Sequence, residues 1–141
     1  MILLENENEF NIDIEKLDAI SKYLNINRDI ELIITNNENI KKLNKEYRGI
    51  NKATDVLSFP LDMICDGMPI GSIIISADKV IDGSEEFGHS FLDEFKLLLI
   101  HGLLHLTGYD HEIDNGEMRN KEMEIINKFN LPKSLIIRVE G

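Results

Sequence analysis

Two histidines stand four residues apart in the stretch His101-Gly-Leu-Leu-His-Leu-Thr-Gly-Tyr-Asp-His111. On an α-helix that spacing puts the imidazoles of His101 and His105 on one face. Gly108 follows at the point where a left-handed residue ends a helix and lets the chain fold back. His111 then returns toward the same point. Three converging nitrogens with a fourth position open to water form the layout of a catalytic zinc site, whereas structural zinc sites are closed by four protein ligands. The competing reading is a pair of core histidines with hydrogen-bonded rings. The neighbours are Leu97, Leu98, Leu99, Ile100, Leu103, Leu104 and Leu106, which offer no polar partner, and an unsatisfied buried polar group costs about 1–3 kcal/mol. The spacing therefore favours a metal, one ion per chain. Three imidazoles suit zinc, nickel or copper, so the spacing alone does not select the ion.

The interval from second to third histidine, with Gly108 inside it, resembles that of the metzincin proteases. Those enzymes carry a glutamate directly after the first histidine as general base; this chain has Gly102. A metal can still act as a Lewis acid and lower the pKa of bound water to about 7. RNA brings its own nucleophile, the 2′-hydroxyl, and its cleavage needs a cation to stabilise developing phosphate charge more than it needs a carboxylate base. Arg48 and the nearby lysines are candidates for that cation, although from spacing alone a solvated helix face is the simpler reading. Of the remaining candidates, His89 lacks helical register with the other three and is expected on the surface. Cys65 lies in a polar loop without a partner cysteine and is not expected to be a ligand. Asp110 either orients a liganding histidine or supports the turn.

The elements that must position these groups are legible as patterns. Ile2–Glu5 is a short strand candidate. Ile14, Leu17, Ile20 and Leu24 recur at helical spacing, predicting an amphipathic helix over 13–25. The β-branched run Ile30–Thr35 predicts a buried strand. Asn36-Asn37 offers an N-cap for a helix through Arg48, ended by Gly49, with Ile40, Leu43 and Tyr47 as its apolar stripe and Lys41, Lys45 and Arg48 on a different face. Thr54–Phe59, closed by Pro60, and Ile70–Ile75 read as strands, with Met63–Pro69 as a loop between them. Residues 77–87 read as a helix. Ser90 with Asp93 resembles a capping box that opens the histidine-bearing helix. Asp114 with Glu117 is a second start signal, for a final helix over Asn115–Phe129 with Met118, Ile125, Ile126 and Phe129 inward. The tail Leu135–Val139 is expected to pack on the core. Mixed helices and strands predict an α+β or α/β fold rather than a bundle.

Composition bounds the rest. The 141 residues fit one domain over 1–141. A hydrophobic fraction of 43% can fill a core, and a single cysteine excludes an internal disulfide framework and a four-thiolate metal site. The longest apolar run falls far short of the roughly 20 residues needed to span a bilayer. The first residues are acidic where a signal peptide is basic, so a cytoplasmic protein without membrane partners is expected. A net charge of -11 argues against uniform coating of nucleic acid, but residues 36–60 carry five positive and three negative side chains. An anionic substrate would be drawn to that segment.

Three stretches carry a family resemblance: His101 to His111; Leu43-Asn-Lys-Glu-Tyr-Arg-Gly49 followed by Ala53-Thr-Asp-Val-Leu-Ser-Phe-Pro60; and Gly71-Ser-Ile-Ile-Ile75. On them the sequence resembles the YbeY family of single-strand endoribonucleases, the rRNA maturation factors, over roughly residues 30–130. Where many members have an acidic residue, this chain has Ser72. The resemblance implies zinc held by His101, His105 and His111, and Arg48 as the basic residue needed for activity. It also implies an rRNA substrate, action on the 16S rRNA 3′ end with the ribosomal small subunit, and a role in ribosome quality control. The implied fold is zincin-like, a small mostly parallel mixed sheet packed by helices, with the metal-binding helix under a substrate groove. In this reading Arg48 meets a phosphate and Lys41 and Lys45 guide the strand. Two other classes compete with it: a peptidase-like zinc hydrolase, which Gly102 disfavours, and a non-enzymatic ribosome-assembly factor, which an open coordination position disfavours.

Overall fold

The structure is a computed structural model that describes residues 2–6, 12–60, 71–110 and 113–132. Its elements run β1 (Ile2–Asn6), α1 (Ile14–Tyr23), β2 (Ile30–Thr35), α2 (Asn37–Arg48), β3 (Val56–Pro60), β4 (Gly71–Ser76), α3 (Ala77–Phe87), α4 (Phe91–Leu106) and α5 (Glu117–Lys128). The expected loop Met63–Pro69 with Cys65, the tail Leu135–Val139 and His111 lie outside the described residues. The strands form one sheet in the order β1-β2-β4-β3. β1 and β2 are parallel, as are β2 and β4, while β3 runs antiparallel to β4 at the edge. This is the expected small α+β fold with a mostly parallel mixed sheet.

The alternation of side chains along each strand divides the core in two. Ile30, Leu32 and Ile34 on β2 and Ile73 and Ile75 on β4 face one way, against apolar side chains of α1, α3, α4 and α5. Ile74 and Leu57 face the other way, against Ile40 and Leu43 of α2. Both faces of β2 and β4 are thus covered, which is why these strands are continuous apolar runs. α4 is buried on nearly every side: Phe95, Leu97, Leu98, Leu99, Ile100, Leu103 and Leu104 are all shielded from solvent. A helix that is apolar all round belongs in an interior, so the two histidines on α4 are carried by the central element of the fold.

Local signals set the ends of the helices that matter to the site. The Asn36 side chain accepts from Asn39 N–H at 2.9 Å and starts α2. The Ser90 hydroxyl accepts from Asp93 N–H at 3.1 Å and starts α4. α5 begins later than expected, at Glu117 rather than Asn115. Asp114 accepts from the N–H groups of both Gly116 and Met118, so it caps the helix from outside its first turn. On α2 the expected stripe departs from the structure: Tyr47 is 63% exposed, and Asn44 is buried in its place. The Asn44 amide donates to the Lys52 carbonyl at 3.0 Å. That bond ties the last turns of α2 to the segment leading into β3.

Candidate active site

α4 ends in a pair of reversed backbone hydrogen bonds that follow from Gly108. Gly108 has φ +100°, a conformation that side-chain-bearing residues rarely adopt. Its N–H donates to the His105 carbonyl at 3.1 Å, and Tyr109 N–H donates to the Leu104 carbonyl at 3.0 Å. Such reversed bonds at a left-handed glycine turn the chain back over the last turn of the helix. The reversal brings the Tyr109 carbonyl to within 3.0 Å of His105 Nδ1. The turn that stops the helix therefore also holds the second histidine.

The first histidine is held from further away. His101 Nδ1 lies 2.8 Å from Glu122 Oε1 on α5. Glu122 is 2% exposed, and 14% of the His101 side chain is exposed. Sequence reasoning missed this carboxylate and expected few partners for the rings. The available signal was its place on the inward face of α5, four residues after Met118 and three before Ile125. A carboxylate in an apolar stripe points to a partner elsewhere in the fold.

These partners fix the chemistry of the two rings. A carbonyl oxygen only accepts, so His105 Nδ1 carries the hydrogen and its Nε2 is left with a lone pair. An ionised Glu122 makes the same assignment for His101. The two Nε2 atoms face each other at 3.1 Å, with the rings nearly perpendicular. Two lone pairs at that distance repel, and either a proton shared between them or a metal ion relieves the repulsion. Two nitrogens about 2.0–2.1 Å from one tetrahedral ion stand about 3.4 Å apart, and a carboxylate or carbonyl on the far ring nitrogen is the usual support of a metal-binding histidine. The donor set fits a divalent metal. Among the described residues no group of three possible ligands occurs, and His111, the expected third, lies outside them.

The imidazoles open into a cleft of about 580 Å³ whose wall also includes Arg48, Asp55, Ser58, Tyr109 and Asp110. Arg48, at the end of α2, is exposed, and no carboxylate among the described residues pairs with it. Lys41 and Lys45 are exposed on the same helix but outside the cleft wall. The Ser58 hydroxyl donates to the Gly102 carbonyl at 3.0 Å, joining β3 to α4 at the cleft. Gly102 has a steric reason. A Cβ there would lie 3.0 Å from Cγ2 of Ile73, so the absence of a side chain lets α4 pack close on β4. A glutamate at this position, as in the metallopeptidases, would be driven into the sheet.

His89 differs from expectation. Its side chain is 7% exposed, and its Nε2 lies 2.7 Å from Oε1 of Glu94, itself 1% exposed. It is a hydrogen-bonded histidine in the turn between α3 and α4, its side chain shielded rather than on the surface. Ser72 donates to Glu31 at 2.9 Å across the sheet. No helix of the described residues is long and apolar enough to cross a membrane.

The chain is similar to known proteins along most of its length. The family model described as Endoribonuclease YbeY matches residues 5–130. A Nautilia profundicola protein named Endoribonuclease YbeY is 59% identical over 140 residues, covering 99% of each chain. A Campylobacter jejuni protein of the same name is 45% identical over 141 residues, covering 100% of each. The solution structure of a Thermotoga maritima protein has a TM-score of 0.63 at 31% identity, covering 92% of both chains. With a family model over most of its length and relatives this similar from end to end, the chain belongs to the Endoribonuclease YbeY family.

Proposed function

We propose that this chain is a metal-dependent endoribonuclease that cuts single-stranded RNA in the cleft, its residues 1–141 acting as one hydrolase domain. The observation that carries this reading is the pair of facing Nε2 atoms, 3.1 Å apart, in a cleft whose wall also includes Arg48. The names of the relatives support it. His101, His105 and His111 are the ligands in this reading and zinc is the ion, which when bound supplies positive charge to the phosphodiester and acidifies water to a pKa of about 7. Glu122 and the Tyr109 carbonyl keep both rings in the ligating tautomer. Arg48 takes the phosphate, because its planar fork matches two phosphate oxygens at once. Lys41 and Lys45 draw the strand along α2 toward that point. Gly102 leaves no carboxylate where a peptidase holds its base, so the attacking oxygen is water or the substrate's own 2′-hydroxyl. The substrate is rRNA, at the 16S 3′ end on the small subunit, and the setting is cytoplasmic; the family resemblance supports both.

Arg48→Ala tests the reading. Charge-assisted hydrogen bonds contribute about 1.5–3 kcal/mol, so RNA cleavage should fall roughly 10- to 150-fold while metal content stays at the wild-type level. Unchanged cleavage would remove Arg48 from the mechanism.

A further inference from the structure

Tyr47 precedes Arg48 on the last turn of α2 and is 63% exposed. Its ring centroid lies 5.4 Å from that of Phe59 on β3, with the ring planes at 59°. Each aromatic adjoins the cleft wall in sequence. Tyr47 is next to Arg48, and Phe59 stands between Ser58 and Pro60. Because side chains alternate along a strand, Phe59 faces away from those two neighbours, on the α2 side with Leu57. Among the described residues β3 is an edge strand of the sheet. The ring pair therefore joins α2 to β3 beside residues that line the cleft.

Along residues 45–52 cations outnumber carboxylates: Lys45, Arg48 and Lys52 against Glu46. Lys45 is exposed two residues before Tyr47, and Lys52 is exposed on the segment that Asn44 ties to α2. Together with Arg48 they combine an open aromatic face with positive charge beside the proposed cutting site. An apolar protein partner would leave these cations unmatched. An unpaired nucleic-acid strand matches both features: cations follow its phosphates, and bases stack on the rings. Bases already stacked inside a duplex cannot be splayed onto a protein ring.

We propose that Tyr47, backed by Phe59, is a stacking platform for one base of a single-stranded RNA whose neighbouring phosphate lies at Arg48. This rests on the endoribonuclease reading of the cleft and adds the feature that selects unpaired RNA. Base–aromatic stacking corresponds to roughly a 5- to 150-fold change in affinity per base.

The probes are a short single-stranded 2′-O-methyl oligoribonucleotide and an abasic oligomer of the same backbone charge. Wild-type protein and Tyr47→Phe should prefer the base-bearing strand by that factor. Tyr47→Ala should bind both about equally and show a raised KM with little change in kcat on cleavable RNA. The chain has no tryptophan, so Tyr47→Trp provides a single indole, whose fluorescence the base-bearing strand should quench and the abasic one should not. If the wild type cuts single-stranded RNA and Tyr47→Ala retains the wild-type preference, the platform is wrong and the nuclease reading stands. Equal weakening of both probes by Tyr47→Ala would also overturn the platform. If the wild type neither binds nor cuts the strand, both readings fall.

Discussion

Glu122 offers the sharpest test of how the fold tunes its histidines. It is buried, it belongs to a different helix from the rings, and its carboxylate meets His101 Nδ1 at 2.8 Å. Glu122→Gln keeps the shape but lets the amide present an NH₂ group to Nδ1. That tautomer places the hydrogen on Nε2, where a ligand needs its lone pair. Loss of such outer partners weakens metal binding about 10- to 100-fold, or about 1.4–2.7 kcal/mol. Competition against a chelator of known affinity measures this directly, and cleavage should return when metal is supplied in excess. Glu94→Gln is the internal control. It alters a second carboxylate–histidine pair, in which Glu94 of α4 meets His89, just before that helix, at 2.7 Å. Leaving a buried donor or acceptor unsatisfied there costs about 1–3 kcal/mol, so the melting temperature should drop while metal affinity holds. Equal metal affinity in wild type and Glu122→Gln would refute the claim that Glu122 sets the tautomer of His101.

Two further outcomes follow from the packing and the surface. Gly102→Glu restores the metallopeptidase pattern, but its Cβ would lie 3.0 Å from Ile73; overpacking should destabilise the protein by about 1–3 kcal/mol in denaturant unfolding, with no peptidase activity on a peptide library. A stable, proteolytic variant would contradict the steric account. The Tyr23 hydroxyl donates to Glu124 at 2.8 Å, and this hydrogen bond, followed by burial and the Glu124 charge, raises the Tyr23 pKa. The hydrogen bond from Lys121, and then that from Tyr23, lowers the Glu124 carboxyl. A raised tyrosine contributes stability that is present below its unfolded pKa and lost as pH rises through the folded one; a lowered carboxyl contributes stability lost as pH falls through its folded value. In an NMR titration Glu124→Gln should return Tyr23 to the ordinary tyrosine range, and a Tyr23 signal that does not move would exclude the contact in solution.

Local physics explains what could be read from the sequence. β2, α2, α3 and α4 follow from runs, caps and periodicity that operate within a few residues: Asn36 and Ser90 cap their helices as expected, and Gly108 ends α4 through neighbours at most four positions away. The convergence of His101 and His105 is equally local, since one helical turn separates them. The supports of the site were less legible. Glu122 reaches His101 across 21 positions, and Ser58 reaches Gly102 across 44; no periodicity encodes such pairings. His89 reads as a surface residue because its partner Glu94, although only five positions away, acts from inside the next helix. Tyr47 fits the apolar stripe of α2 by spacing, yet it packs on Phe59 of β3, beyond which no further strand of the described residues lies to cover it.

The central claim is that imidazoles gathered at the end of α4 grip a divalent ion that substrate can reach. It is tested most directly by elemental analysis of protein purified without a histidine tag, alongside His105→Ala, with RNA cleavage assayed before and after chelation. The expected result is about one ion per chain in the wild type, loss of that ion in the variant, and cleavage that disappears on chelation and returns with added metal. Full cleavage by chelated, metal-free protein, or an unchanged metal content in His105→Ala, would contradict it.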